Sequence, residues 1–204
     1  MSPKTPKKIV GLSMNQKTLK RVLDVVLSIT LIPIFILPIG VLIIVASIDT
    51  KGVGLFFQNR VGQYGKVFTI IKIRTFNETG EVSKYSAIIR KYKLDELPQL
   101  FNILVGQMSF VGPRPDVFEV MNYLPSTDQI ILTIKPGLTG PASLHYFNEE
   151  EILKTQQDPI EYNMKVLFPS KNAINKEYIK NYHIFNDLKY IYKTTLYVFQ
   201  NMAL

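Results

Sequence analysis

Two adjacent carboxylates, Asp95 and Glu96, stand near the start of the stretch Leu94–Pro115, LDELPQLFNILVGQMSFVGPRP, and an arginine held between prolines, Arg114, stands near its end. Neighbouring side chains on a helix point about 100° apart, so the two carboxylates suit separate tasks rather than a shared-proton dyad. A helix start presents free N–H groups and partial positive charge, which favours ionised carboxylates and attracts phosphate. Arg90, Lys91 and Lys93 lie just upstream, and cations there relieve the repulsion a carboxylate meets on approaching a phosphate. Pro115 restricts Arg114 toward extended backbone, and a pre-ordered guanidinium can take a phosphate through two parallel hydrogen bonds. Together these residues suit phosphate chemistry. Alone, an Asp-Glu pair at a helix start reads better as ordinary helix-favouring acids.

Composition narrows the chemistry further. The 204 residues contain no cysteine, which excludes thiolate nucleophiles, disulfides and cysteine-based zinc sites. The only histidines are His145 and His183, so a metal would need oxygen ligands, which favours Mg²⁺ or Mn²⁺. The formal net charge of +8 points to an anionic partner: nucleic acid, an anionic bilayer or a phosphorylated substrate. No nucleic-acid recognition motif accompanies the cations, and a membrane anchor accounts for the excess, so nucleic acid is not an expected partner.

The elements that must position these residues can be read around them. Leu97, Leu100, Phe101 and Leu104 give the apolar stripe of an amphipathic helix, with Pro98 in its first turn and Gly106 as its stop. That places Asp95 and Glu96 at its N-terminus. Residues 107–111 read as extended. Upstream, residues 55–57 and 67–73 are rich in Phe, Val and Ile around a Gly62/Gly65 turn, a short β-hairpin. Lys72 and Arg74 would share one strand face and offer a pair of phosphate contacts. Residues 77–83 form a polar loop, and residues 84–93 a short helix.

From Val25 to Ile48 no residue is charged. About 20 apolar residues suffice to cross a hydrocarbon core, and the run lacks the cleavage site of a removed signal segment. Pro33 and Pro38 lie inside it. Each removes a backbone donor and can break the helix into halves too short to span, which favours a re-entrant hairpin over a kinked span. Basic residues flank both sides, among them Lys20, Arg21, Lys51 and Arg60, so there is no inside–outside asymmetry. Residues 1–18, with Lys4, Lys7, Lys8 and Lys17, read as a flexible basic tail attracted to anionic lipid. In the C-terminal third, Lys135–Gly140 (KPGLTG) is a turn-rich loop. Glu149, Glu150 and Glu151 read as a helix start rather than as metal or sugar contacts. Aromatic and lysine residues from Tyr178 to Phe199 recur at helical spacing, either closing the core or lying in a bilayer interface.

The motif DELPQLFNILVGQMSFVGPRP resembles the signature of the bacterial sugar transferases, the monotopic polyprenyl-phosphate phosphoglycosyl transferases. The resemblance covers most of the chain after residue 19. It takes in Lys20-Arg21 and Asp24, Pro38, Gln58-Asn59-Arg60, KIRTF at 72–76, KPGLTG at 135–140 and Asp187-Leu188-Lys189. The family often continues KPGLTG with Trp and Gln, whereas this chain has Pro141-Ala142-Ser143 and no tryptophan. The resemblance implies an α/β fold, mainly helical with a small β-hairpin, carrying an N-terminal re-entrant membrane helix and a cytoplasmic catalytic domain. The expected divisions are a tail over 1–18, a helix-break-helix over 19–50 and the catalytic domain over 51–204. It further implies Asp95 as nucleophile, Glu96 as a Mg²⁺ ligand, and Lys72, Arg90 and Arg114 as substrate-binding cations. The implied reaction passes a phosphosugar from a nucleoside-diphosphate sugar, a UDP-sugar foremost, through an aspartyl intermediate to polyprenyl (undecaprenyl) phosphate. It would start glycan assembly at the cytoplasmic face of the bacterial inner membrane. The rival readings are a glycosyltransferase releasing nucleoside diphosphate, and a non-catalytic membrane-tethered scaffold.

Overall fold

The computed structural model describes the backbone of residues 11–202 and side chains as far as Gln200. The first element, α1 (Met14–Thr50), begins at a capping box: the Ser13 hydroxyl accepts from the Gln16 N–H, and the Gln16 side chain accepts from the Ser13 N–H. The expected basic tail therefore does not extend to residue 18. Its lysines at 4, 7 and 8 lie outside the described residues, while Lys17 is helical. The helix-break-helix is also corrected, because α1 remains helical through Pro33 and Pro38. Each proline removes a single donor, and the flanking turns retain the helix.

Thirty-seven residues of helix give about 56 Å of length. One stripe of α1 is buried on the rest of the protein at Lys20, Asp24, Ser28, Ile39, Ala46 and Thr50, at spacings of four, seven and eleven that keep to one helix face. The opposite face exposes Val26, Ile29, Leu37, Val41, Ile44 and Ile48. By length and composition α1 is apolar enough to cross a membrane. Its polar residues fasten it to the domain. Lys20 pairs with Asp187 at 2.6 Å, both buried. Arg21 donates to the Ile103 and Leu104 carbonyls at 2.7 and 2.6 Å. Asp24 accepts from the Ser109 hydroxyl and the Phe110 N–H, both at 2.9 Å.

The expected hairpin is present. Strands β1 (Leu55–Val61) and β2 (Val67–Ile73) pair antiparallel, with Phe56 opposite Lys72. Next come α2 (Lys84–Lys91) and α3 (Gln99–Leu104). A second pair was not foreseen: β3 (Ser109–Val111) lies parallel to β4 (Gly137–Thr139). Between them is α4 (Phe118–Met121). After β4 come α5 (Pro141–His145), α6 (Glu149–Lys154), α7 (Pro159–Tyr162), α8 (Phe168–Lys180) and α9 (Ile184–Met202). The core joins Ile70, Leu100, Ile103, Met108 and Val111 with Tyr178 and Ile179 of α8. The C-terminal aromatics divide between the two readings. Tyr178 and Tyr182 are buried in the core, while Phe185, Tyr192 and Phe199 of α9 are exposed.

Candidate active site

Asp95 and Glu96 lie in a 3-10 turn, Leu94–Glu96, that precedes α3 rather than in the α-helix itself. Lys93 takes a left-handed backbone, φ 56°, which turns the chain after α2. Pro98 then caps α3 and, lacking an N–H, cannot extend the helix back over the two acids. Both carboxylate residues are nevertheless buried, 7% and 5% exposed.

Three backbone arrangements hold the cations around them. Asn102 of α3 accepts from the Ile71 N–H at 3.1 Å and donates to the Thr69 carbonyl at 2.8 Å, which fixes β2 against α3. Lys72 therefore reaches Glu96 at 3.1 Å and Asp95 at 3.7 Å. The Gly112-Pro113-Arg114-Pro115 turn is locked onto the KPGLTG loop. Gly112 N–H donates to the Thr139 carbonyl at 2.9 Å, and Gly137 N–H to the Pro113 carbonyl at 2.8 Å. A Cβ on Gly137 would lie 2.1 Å from the Gly112 nitrogen, so this close crossing of two chains requires glycine. Arg114 is thereby aimed at Glu96, with Nη2 2.5 Å from Oε1 and Nη1 3.3 Å from Oε2. Finally, Ser83 and Ser86 both donate to Asp49 near the end of α1, each at 2.7 Å. They anchor α2, whose Arg90 meets Glu150 at 2.9 Å.

These residues enclose a cavity of about 120 Å³ lined by Lys72, Arg90, Lys93, Asp95, Glu96, Arg114 and Glu150, with Phe56, Gln58, Ile73, Thr75 and Phe76 completing its wall. All five residues singled out from the sequence thus converge. Arg74 does not join them, since its Nε donates to the Val53 carbonyl at 2.8 Å. Strand alternation placed Arg74 beside Lys72, but β2 ends at Ile73. Phe56 of β1 and Phe76, three residues beyond β2, were not recognised as site residues, and neither was Glu150. Glu150 does sit at the start of α6 as expected, but its ion pair with Arg90 closes one side of the cavity.

The two acids differ in electrostatics. Burial, followed by the Glu96 charge, pushes Asp95 up to about 6. Burial also works to raise Glu96, but the Arg114 and Lys72 charges outweigh it and hold Glu96 well below the usual carboxylate range. Glu96 in turn raises Arg114 above its ordinary value. Both Glu96 oxygens accept hydrogen bonds, whereas Asp95 Oδ1 is buried with no partner. An unpartnered buried carboxylate oxygen is costly, and a ligand that reached it would relieve that cost.

The described residues contain no cluster of three or more acids, histidines or cysteines suited to a metal. Mg²⁺ delivered with a diphosphate needs only one or two protein carboxylates. Glu96 Oε2, with its single 3.3 Å hydrogen bond, fits that requirement.

The sequence model described as bacterial sugar transferase matches residues 15–201. The chain belongs to the bacterial sugar transferase family. It is 34% identical over 203 residues to the UDP-glucose:undecaprenyl-phosphate glucose-1-phosphate transferase of Klebsiella pneumoniae, covering 90% of this chain and 41% of that protein. It is 29% identical over 209 residues to the undecaprenyl-phosphate galactose phosphotransferase of Salmonella typhimurium, covering 88% and 40%. Against the exopolysaccharide production protein ExoY of Sinorhizobium fredii it is 28% identical over 207 residues, covering 86% and 83%. The chain thus spans about two-fifths of the first two relatives and most of ExoY. In this bacterial sugar transferase Lys20, Arg21, Asp24 and Asp187 seat α1 on the rest of the fold.

Proposed function

We propose that this sugar transferase moves a phosphosugar from a nucleoside-diphosphate sugar, a UDP-sugar foremost, to undecaprenyl phosphate, and so initiates glycan assembly. The observation that carries the reading is the buried Asp95 carboxylate with one oxygen free, inside a cavity lined by Lys72, Arg90, Lys93 and Arg114. The cations lower the cost of bringing an anionic nucleophile onto an anionic phosphate. Glu96 is the weaker nucleophile, because Arg114 and Lys72 already occupy its oxygens.

Asp95 forms a bond to the sugar-bearing phosphorus. The bond from that phosphorus to the bridging oxygen breaks, and the nucleoside monophosphate leaves with the electron pair. An oxygen of the lipid phosphate then attacks the same phosphorus, and Asp95 departs as the carboxylate. Lys72 and Arg114 orient the diphosphate, and Arg90 gains a role when a ligand displaces Glu150. Glu96 would hold Mg²⁺, which would supply charge neutralisation on the diphosphate.

The reading also puts the protein on the cytoplasmic face of the inner membrane, with α1 embedded along one face and not crossing. Support comes from the burial of α1 at both ends, at Lys20 and at Ala46 and Thr50, on one and the same domain. A helix crossing a bilayer could keep only one end on a domain that stays on one side. Nucleotide sugars are cytoplasmic metabolites, which sets the side.

Intact mass spectrometry after mixing the protein with candidate nucleotide sugars tests the mechanism. A phosphosugar adduct mapped to Asp95, with release of nucleoside monophosphate, is expected. Release of nucleoside diphosphate would instead identify a glycosyltransferase, and normal glycan assembly by an Asp95→Asn protein would identify a scaffold.

A further inference from the structure

The cavity around Asp95 has an apolar side that the proposed chemistry leaves unused. Phe56 and Phe76 line it in an edge-to-face pair, ring centroids 5.0 Å apart. Ile73 completes this side of the wall. Cations border the pair: Lys72 stands opposite Phe56 across the hairpin and Arg74 lies over the Phe76 ring, 5.8 Å from its centroid, while Arg90 is turned toward Glu150.

The aromatic side adjoins the membrane helix. Gly54 is buried against the last turns of α1: a Cβ there would sit 2.0 Å from the Ile43 carbonyl oxygen, and its N–H donates to Ser47 at 2.9 Å. Phe56 follows two residues later, within roughly 7 Å along the strand. Phe76 follows Arg74, whose N–H donates to the Gly54 carbonyl at 2.8 Å. Both rings therefore hang from the point where the chain leaves α1. Around that point Ile44, Ile48 and Val53 are 63%, 75% and 69% exposed. This patch is continuous along the chain with the exposed apolar face of α1. A water-borne nucleotide gains nothing by entering there, whereas a lipid has no other medium from which to come.

We infer that Phe56 and Phe76 form the wall along which the first isoprene units of the lipid acceptor pass from the bilayer to Asp95. The inference rests on the acceptor being a polyprenyl phosphate, as proposed above. The phosphate meets the cations while the chain leaves past the two rings toward Val53 and Ile48. The rings position the acceptor and take no part in bond making.

The two half-reactions separate this role from the alternatives. Phe56→Ala and Phe76→Ala should leave adduct formation with the nucleotide sugar at the wild-type rate. They should raise the KM for polyprenyl phosphate roughly ten- to thirty-fold, the equivalent of losing two or three methylene contacts. Phe56→Leu, which stays apolar, should recover most of that loss. Slowed adduct formation with an unchanged acceptor KM would overturn the inference, because the rings would then be stacking on the nucleobase. Equal damage to both half-reactions would reduce them to a structural role. A second measurement does not depend on turnover: a diazirine-bearing farnesyl phosphate, photolysed with the protein in nanodiscs, should label the peptides containing Phe56 and Phe76. Labelling confined to α1 or α9 would overturn the inference. If the wild-type protein forms no adduct but labels at the rings, the proposed mechanism fails while the lipid path stands.

Discussion

Replacing Asp95 by asparagine should stabilise the protein at neutral pH while removing its activity. Asp95 titrates at about 6 in the folded protein against a reference of 3.8. Below pH 3.8 the group is protonated in both states and folding carries no penalty. As pH rises the unfolded chain loses its proton first, so stability falls between pH 3.8 and about 6 and is then level. The full interval corresponds to about 3 kcal/mol. This is an upper bound for the variant, since a buried amide keeps part of the desolvation cost. For a chain of this size it translates to a Tm increase of up to about 6–12 °C. The assay is thermal unfolding followed by circular dichroism in nanodiscs with EDTA, at pH 4.5 and 7.5. Asp95→Asn should melt above wild type at pH 7.5, and the gap should shrink sharply at pH 4.5. A gap of the same size at both pH values, or a variant that melts lower at pH 7.5, would refute the reasoning.

Three further outcomes follow from the same geometry. Asp187→Ala removes the paired carboxylate from the buried Lys20 ammonium and leaves it the Tyr178 hydroxyl and the Asp24 charge, and should cost about 3–5 kcal/mol; adding Lys20→Met should return much of that loss in denaturant titrations, and strict additivity would speak against the pair. Glu96→Gln should raise the Mg²⁺ concentration needed for half-maximal activity while leaving the fold intact by circular dichroism, and an unchanged Mg²⁺ dependence would remove Glu96 as a ligand. Because the chain has no cysteine, single cysteines at exposed Asn15 and Lys51 can be labelled uniquely in oriented vesicles. Both should react with an impermeant maleimide from the cytoplasmic side only, and reaction from opposite sides would establish a spanning helix.

Much of the site was legible in the linear sequence because its chemistry is local. Asp95 and Glu96 are adjacent, Arg114 is fixed by its flanking prolines, and the hairpin that carries Lys72 announces itself by apolar strands around glycines. The long apolar run also stands out, since about 20 apolar residues are conspicuous in any chain. Local patterns misled where they stopped short of context. Arg74 shares the alternation of Lys72 but lies beyond the last paired residue of β2. The prolines of α1 can break a helix but here do not.

Tertiary structure decided what surrounds each acid. Sequence separated Asp95 from Glu96 by helix geometry, although the turn proved to be 3-10. Only the fold brought Arg114 and Lys72 onto Glu96 and left Asp95 Oδ1 unpartnered. The seating of α1 was equally invisible, because Lys20 and Asp187 are 167 residues apart and no local pattern pairs them. Charge type and spacing along the chain fix what chemistry is available. Which lone pair remains free, and which residues line the cavity, depend on long-range packing and burial that a one-dimensional pattern does not encode.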